Sequence, residues 1–248
     1  MAAQYEERAA QGPLGPWSPC VWVRRVSGAG VARIVPDACT DLLWRRGALE
    51  VAGPDTAHRD VPVAPGEVIV GVRLRPGAAR PLLGETPATD VADAQPDLRE
   101  LWGEAALRLS DSLLGREPWQ VAGTLADALG KRLGAFGPDR VAIRVADALD
   151  RPRPPAISRL AWELGYSERH LRRRVQAATG YGPKTLEQIL RFRRTLEAAA
   201  PVANPPGFRP LPDWSRIAAE QGYADQAHLS RQVRRWSGRA PSTLVQAA

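Results

Sequence analysis

The chain has 248 residues, of which 44% are hydrophobic and 25% charged, a composition typical of one or two globular domains. Its two cysteines, Cys20 and Cys39, exclude a disulfide-rich scaffold and a cysteine-based zinc finger. The longest uncharged stretch, residues 9–23, contains five Gly and Pro residues and therefore does not predict a membrane-spanning helix.

The charge is divided unevenly along the chain. Residues 1–139 carry 15 Lys and Arg against 18 Asp and Glu, a net charge of −3, whereas residues 140–248 carry 19 against 9, a net charge of +10. This asymmetry predicts a nearly neutral N-terminal part and a C-terminal part that binds a polyanion.

The N-terminal part is predicted to form a small β-barrel. Residues 1–19, with three prolines, are expected to be a poorly ordered lead-in. Short apolar runs separated by Gly and Pro follow in residues 20–76 and indicate strands. Arg46-Gly47 is typical of a hairpin turn. In the clearest strand, residues 67–75, side chains alternate between two faces, with Val68, Val70, Val72 and Leu74 on one and Ile69, Gly71, Arg73 and Arg75 on the other.

Residues 81–149 change to a helical period. Apolar residues recur there every three or four positions, which predicts about three helices. These helices either cover one face of the barrel or serve in dimerisation, so that residues 20–150 together would form a sensor or dimerisation domain. The Pro- and Arg-rich residues 151–155 indicate a linker.

An internal repeat occupies the rest of the chain. His-Leu-Arg-Arg-Arg-Val at 170–175 matches His-Leu-Ser-Arg-Gln-Val at 228–233, and the Gly and Pro residues that follow also recur at an offset of 58. Upstream, Gly165-Tyr166 matches Gly222-Tyr223 at an offset of 57. Each copy predicts two helices joined by a tight turn, which is a helix-turn-helix whose second helix can enter the DNA major groove.

The second helix of each copy has one apolar and one polar side. At about 100° per residue, the polar sides hold Arg169, Arg172, Arg173 and Gln176 in the first copy and Ser230, Arg231 and Arg234, with Gln226 at the helix start, in the second. Arginine can bind guanine through two hydrogen bonds, and glutamine can bind adenine. A solvated helix face has similar residues, but their recurrence in both copies favours nucleic-acid contact.

Other residues of the repeat have less certain roles. Arg174, Arg234 and Arg235 are candidates for phosphate contacts. His170 and His228, each beside the first buried leucine, either pack against the turn or contact DNA.

Residues 157–245 resemble the DNA-binding domain of AraC-family transcription regulators. The resemblance rests on Asp213-Trp-Ser-Arg-Ile-Ala-Ala-Glu-Gln-Gly-Tyr-Ala-Asp-Gln-Ala-His-Leu-Ser-Arg231 and on Gly238-Arg-Ala-Pro241. It implies an all-α domain over 157–248, with helix-turn-helix units at about 157–179 and 213–237 joined by a linker helix at about 181–199. The base-contacting positions of the family fall on Arg169, Arg172, Arg173, Gln226, His228 and Arg231. The Pro-rich residues 200–212 depart from the family pattern and place the usual spacing of the two units in doubt.

The N-terminal part is similar to cupin-like sensor domains of the same family. The similarity rests on Pro36-Asp-Ala-Cys-Thr-Asp-Leu-Leu-Trp44 and Gly71-Val-Arg-Leu-Arg-Pro-Gly77, and it implies a domain that binds a small effector, dimerises, or both. The candidates for pocket residues are Trp22, Trp44 and Arg73. Tryptophan is more often a core residue than a pocket residue, and the alternative for Arg73 is an ion pair to Asp41 or Glu67. Because this part has one histidine, we expect no metal and no cofactor.

The predicted fold class is therefore α+β, with a small N-terminal β-barrel and helices followed by an all-α tandem helix-turn-helix domain. The predicted function is sequence-specific binding of double-stranded DNA by a transcription regulator that is not an enzyme and responds to an effector. RNA polymerase would be a partner of an activator, and a homodimer is an open alternative. We expect a cytoplasmic, nucleoid-associated protein, because Glu6 and Glu7 argue against a secretory signal. The rival function is a small-molecule-binding or repair-type enzyme with nonspecific affinity for nucleic acid.

Overall fold

The computed structural model describes residues 4–200 and 211–244 and confirms the α+β fold class. The strands among these residues are β1 (Gln4–Arg8), β2 (Cys20–Arg25), β3 (Gly30–Ile34), β4 (Thr40–Arg45), β5 (Ala48–Ala52), β6 (Arg59–Val63) and β7 (Val68–Leu74). The α-helices are α1 (Arg80–Leu83), α2 (Arg99–Trp102), α3 (Glu104–Leu113), α4 (Pro118–Arg132), α5 (Arg140–Leu149), α6 (Ile157–Glu163), α7 (Glu168–Thr179), α8 (Pro183–Ala199), α9 (Trp214–Glu220), α10 (Gln226–Ser237) and α11 (Pro241–Leu244).

The N-terminal strands form two antiparallel sheets. One sheet has five strands in the order β1-β2-β7-β4-β5, and the other pairs β3 with β6. The hairpin between β4 and β5 is confirmed: its two turn residues, Arg46 and Gly47, have φ of 51° and 79°, as a two-residue hairpin turn with the twist of the strands requires. Residues of both sheets line one cavity, which therefore lies between them.

The expectation that residues 1–19 are a poorly ordered lead-in is wrong for residues 4–8. They form β1, which pairs with β2 along its whole length and extends the larger sheet by one strand. Leu14 is also fully buried in the core. The three prolines that suggested disorder lie after the strand, where they remove no ladder hydrogen bond.

The two faces of β7 that its alternating sequence predicts are present in the structure. Val70, Val72 and Leu74 are buried in a core that includes the apolar stripe of α4. The opposite face, which carries Ile69 and Arg73, lines the cavity. Of the two roles expected for the helices of 81–149, α4 therefore fulfils the first, which is to cover the sheet.

Helix α5 packs with the C-terminal half of the chain, although its sequence position placed it with the N-terminal domain. Its apolar residues Val145 and Leu149 are buried in a second core together with Leu171 of α7 and Ile189 of α8. The reason is that α5 carries a single apolar stripe, which must be buried against another element, and α7 and α8 supply the matching surface. Residues 201–210, which contain most of the Pro-rich departure, lie outside the described residues.

Candidate nucleic-acid interface and sensor cavity

The sequence repeat is a structural repeat. Helices α6 and α7 form one helix-turn-helix, and α9 and α10 form the other. Gly165 and Gly222 occupy equivalent turn positions with φ of 73° and 75°, a region that favours glycine. Gly180 and Gly238 end the second helix of each unit in the left-handed conformation. The two units therefore share a turn glycine with positive φ and a left-handed glycine at the end of the second helix.

Side-chain caps fix where the second helices begin. The Ser167 hydroxyl accepts a hydrogen bond from the His170 amide at 3.3 Å, and the Asp225 carboxylate accepts one from the His228 amide at 2.6 Å. Such N-caps are worth about 1 kcal/mol each. Because each cap lies just before the first polar residue of the helix, it places the polar side chains at a defined end of the helix.

The inward faces of α7 and α10 are fully buried. Leu171 and Val175 in the first unit, and Leu229 and Val233 in the second, have no exposed surface. Since the helix period is 3.6 residues, burial of these positions turns the opposite side of each helix outward. Five of the predicted base-contacting residues are exposed on that outward side: Arg169, Arg172, Arg173, Gln226 and Arg231.

Most of these side chains are free to bind a ligand. Arg169, Arg173 and Arg231 have no ion-pair partner within residues 4–200 and 211–244. Arg172 is paired with Glu168 at 2.6 Å. Both side chains of that pair are more than 40% exposed, and such surface pairs contribute at most about 1 kcal/mol. The pair can therefore be exchanged for a contact with DNA.

The two histidines of the repeat pack against their turns. The rings of His170 and Tyr166 lie edge to face at 5.1 Å, and those of His228 and Tyr223 do so at 5.3 Å. His228 also accepts a hydrogen bond from the Ala224 amide through Nδ1 at 3.3 Å. The packing alternative thus describes both residues, and the contact of His228 with DNA stays a prediction.

The three arginines considered for phosphate contacts differ in their surroundings. Arg174 is paired with Asp139 at 2.8 Å and donates a hydrogen bond to the Tyr166 hydroxyl at 3.2 Å. Its assignment to phosphate is therefore not supported, because its guanidinium already links α7 to the start of α5. Arg234 and Arg235 are exposed, and Arg235 lies over the Trp236 ring at 4.7 Å.

A residue of α8 that sequence reasoning missed joins the segment after α5 to the turn of the second unit. Arg194 of α8 donates hydrogen bonds to Asp150 at 2.5 Å, to the Arg151 carbonyl at 3.0 Å and to Gln221 in the turn of the second unit at 3.1 Å. Its partners lie 27 to 44 residues away in sequence, so no local pattern could have indicated this role.

The cavity between the two sheets has a volume of about 290 Å³. Trp22 and Arg73 line it, as expected, but Trp44 does not and instead packs against the core under α4. The physical reason is strand alternation, because Asp41 and Leu43 of β4 face the cavity and Trp44 must then face the other way. The Trp22 ring lies across Gly71, where a Cβ atom would come within 2.2 Å of the ring.

Three carboxylates surround Arg73, which lines the cavity. Arg73 lies 3.4 Å from Asp41, 3.6 Å from Asp37 and 3.5 Å from Glu7. The expected ion pair with Asp41 is thus present, whereas Glu67 pairs with other arginines. Burial raises the pKa of Asp41 to about 6, although Arg73 opposes the shift.

The cavity wall also touches the second helix-turn-helix. Arg33 of β3 lines the cavity, pairs with Asp60 at 2.6 Å and donates a hydrogen bond to the Ser237 carbonyl at the end of α10 at 3.3 Å. The His58 ring lies directly against Gly238, where a Cβ atom would come within 2.6 Å of it. Arg33 and His58 thus bring the N-terminal sheets into contact with the end of α10.

Among residues 4–200 and 211–244, no helix is long and apolar enough to cross a bilayer. No group of three His, Cys, Asp or Glu side chains among them is arranged to hold a metal ion.

Comparisons with known proteins agree with this geometry. Residues 160–247 match a family model described as a helix-turn-helix domain, and residues 6–97 match a domain of unknown function, DUF6597. No curated protein matches the chain.

Solved structures with a similar chain course share little sequence with this one. ToxT from Vibrio cholerae is 12% identical, with 91% of this chain and 96% of that chain covered and a TM-score of 0.48. The C-terminal domain of AraT from Geobacillus stearothermophilus is 18% identical, with 44% and 83% covered and a TM-score of 0.35. A DNA-binding transcriptional dual regulator from Escherichia coli K-12 is 19% identical, with 44% and 99% covered and a TM-score of 0.35.

A tandem helix-turn-helix with polar outer faces, together with the family match over the same residues, defines a DNA-binding transcription regulator. The chain therefore contains a helix-turn-helix domain of this kind over residues 160–247.

Proposed function

We propose that the protein reads the sequence of double-stranded DNA by placing α7 and α10 in the major groove. The observation that carries this proposal is the matched construction of the two helices, each with a buried apolar face, a capped start and exposed polar side chains opposite. Arg169, Arg172, Arg173 and Arg231 would bind guanine edges, and Gln226 an adenine edge.

This proposal can be tested by selecting duplexes from a random-sequence library and measuring affinity for the selected sequence. Arg173→Ala and Arg231→Ala should each lose about 1–3 kcal/mol of binding free energy and relax base preference at the contacted position. Arg108→Ala removes an equally exposed arginine from α3 and should bind as the unaltered protein does. Normal affinity and base preference in both test variants would contradict the proposal.

The same selection separates this function from its rival. A small-molecule-binding or repair-type enzyme with nonspecific affinity would bind selected and scrambled duplexes equally well and would yield no consensus sequence. A specific regulator binds its site roughly 10³-fold or more tightly than other DNA.

We further propose that a small molecule binds in the cavity between the sheets and regulates DNA binding. The cavity of about 290 Å³ is lined by apolar residues such as Leu43 and Ile69 and by a charged cluster around Arg73. Such a combination is typical of ligand sites. Arg33 provides the link to DNA binding, because it contacts both the cavity and the end of α10. A ligand that draws Arg33 towards itself would remove the hydrogen bond to Ser237.

The regulatory proposal predicts two separable effects. Leu43→Trp should fill the cavity and abolish the rise in Tm caused by whichever metabolite of a screened set stabilises the protein. Arg33→Ala should weaken ligand binding and, at saturating ligand, remove the ligand's effect on DNA affinity. A ligand effect on DNA that survives Arg33→Ala would contradict the proposed link.

The proposal also covers the partners expected from the family. As a regulator of transcription the protein would act at the nucleoid in the cytoplasm. RNA polymerase would be its partner where it activates, and a homodimer would allow it to bind paired operator sites. Sedimentation of the protein with and without a duplex tests the oligomeric state.

A further inference from the structure

The segment between α5 and α6, residues 150–156, lies between the two helix-turn-helix units, and we refer to it as the interunit loop. It leads directly into α6, the first helix of the first unit. Its Pro152 carbonyl abuts the turn of the second unit, where a Cβ atom added to Gly222 would lie 2.2 Å from that oxygen. The loop therefore occupies the position between the two units, although its sequence indicated only a linker.

The interunit loop is held in place at its start. Asp150 accepts hydrogen bonds from both Arg193 and Arg194 of α8, and Arg194 also donates to the Arg151 carbonyl. These bonds are charge-assisted, and charge-assisted bonds are among the strongest in proteins. Because the start of the loop is already held in place, ligand binding to its side chains costs little conformational entropy of the loop backbone.

The loop borders a basic groove with a volume of about 550 Å³ between α5 and α6. Its charged lining residues are Arg144, Arg151, Arg153, Arg159, Asp147 and Glu163. Both acidic residues already form ion pairs, Asp147 with Arg75 and Glu163 with Arg159. Arg144, Arg151 and Arg153 are exposed and have no acidic partner within the described residues, so the groove carries uncompensated positive charge.

We propose that Arg151 and Arg153 bind the DNA phosphates that pass between the two major grooves entered by α7 and α10. This inference rests on the proposed function. If the two recognition helices enter successive major grooves, the backbone between those grooves faces the surface between the two units, and the interunit loop lies there. The first helix of a helix-turn-helix also crosses the DNA backbone, and the loop directly precedes that helix. Phosphate contacts of this kind position the protein and carry no sequence information.

The test measures how the affinity of the full chain depends on salt. Arg151→Ala/Arg153→Ala is compared with Arg108→Ala/Arg116→Ala, a pair on and after α3 that removes the same charge from exposed sites. The probes are a duplex selected from a random library and a scrambled duplex of the same composition. Each lost phosphate contact should reduce the slope of log K against log salt by about 0.9, so the loop variant should lose roughly 2 and the control none.

Further outcomes decide the proposal. The loop variant should weaken binding to both duplexes by a similar factor and keep the ratio between them, and Arg151→Lys/Arg153→Lys should restore most of the slope because lysine also binds phosphate. A slope equal to that of the control overturns the inference. If the loop variant bound DNA normally but impaired transcription in vitro, the groove would instead bind a protein partner. That outcome would overturn the inference as well. Absence of any selected sequence would refute the proposed function, while the slope on the scrambled duplex would still decide the phosphate contact.

Discussion

Two equivalent glycines allow the packing of Pro152 against the second helix-turn-helix unit to be measured. Gly165 and Gly222 have the same turn conformation, with φ of 73° and 75°. A Cβ atom at Gly165 would meet nothing within 4 Å, whereas at Gly222 it would lie 2.2 Å from the Pro152 carbonyl. The same substitution therefore adds backbone strain at both sites and a steric collision at one.

The expected magnitudes follow from these two terms. Alanine in the left-handed region costs about 1–2 kcal/mol, so Gly165→Ala should lower the free energy of unfolding by that amount. Overpacking in a close contact costs a further 1–3 kcal/mol or so, so Gly222→Ala should lose about 2–5 kcal/mol. Urea unfolding followed by circular dichroism measures both. Equal losses in the two variants would refute the packing of Pro152 against the second unit.

The remaining predictions concern ion pairs and buried thiols. Arg194→Ala should lower the free energy of unfolding by about 2 kcal/mol because it removes the donor to Gln221 and to the Arg151 carbonyl and one of the two arginine donors to Asp150, whereas Arg216→Ala, which breaks an exposed pair, should cost under about 0.5 kcal/mol; similar losses in urea unfolding would contradict this. Hydrogen bonds from Arg45, the Ala64 amide and Arg46 hold the pKa of Glu67 at about 2, below its usual 4.5, so its contribution to stability is complete above pH 4.5 and is lost as the pH falls towards 2. In Glu67→Gln the urea concentration at the unfolding midpoint should fall less between pH 4.5 and pH 2 than it does in the unaltered protein. An equal fall in both proteins would show that Glu67 does not cause this loss of stability. Burial raises the pKa of the Cys20 thiol to about 12 and that of the Cys39 thiol well above its usual range, so mass spectrometry should find neither alkylated by iodoacetamide until the protein is unfolded. Rapid alkylation of the native protein would contradict their burial.

Local rules in the sequence determined the helix-turn-helix units almost completely. Turn glycines at 165 and 222 and the period of buried leucines and valines depend on residues within a few positions of one another. The hairpin at Arg46-Gly47 and the two faces of β7 were predictable for the same reason. The outward position of Arg169, Arg173 and Arg231 followed directly, because on an amphipathic helix burial of one side exposes the other.

Tertiary structure decided which of several suitable partners each side chain meets. Residues 4–8 became a strand because β2 offered an unpaired edge. Trp44, rather than Trp22, was turned away from the cavity by the register of β4. Arg174 and Arg194 carry the same charge as the exposed arginines of the repeat, yet they are bound to Asp139 and Asp150, which lie 35 and 44 residues away. The periodicity of a helix or strand determines to which side a side chain points. The residues that it contacts on that side come from distant parts of the chain, so a local sequence pattern does not identify them.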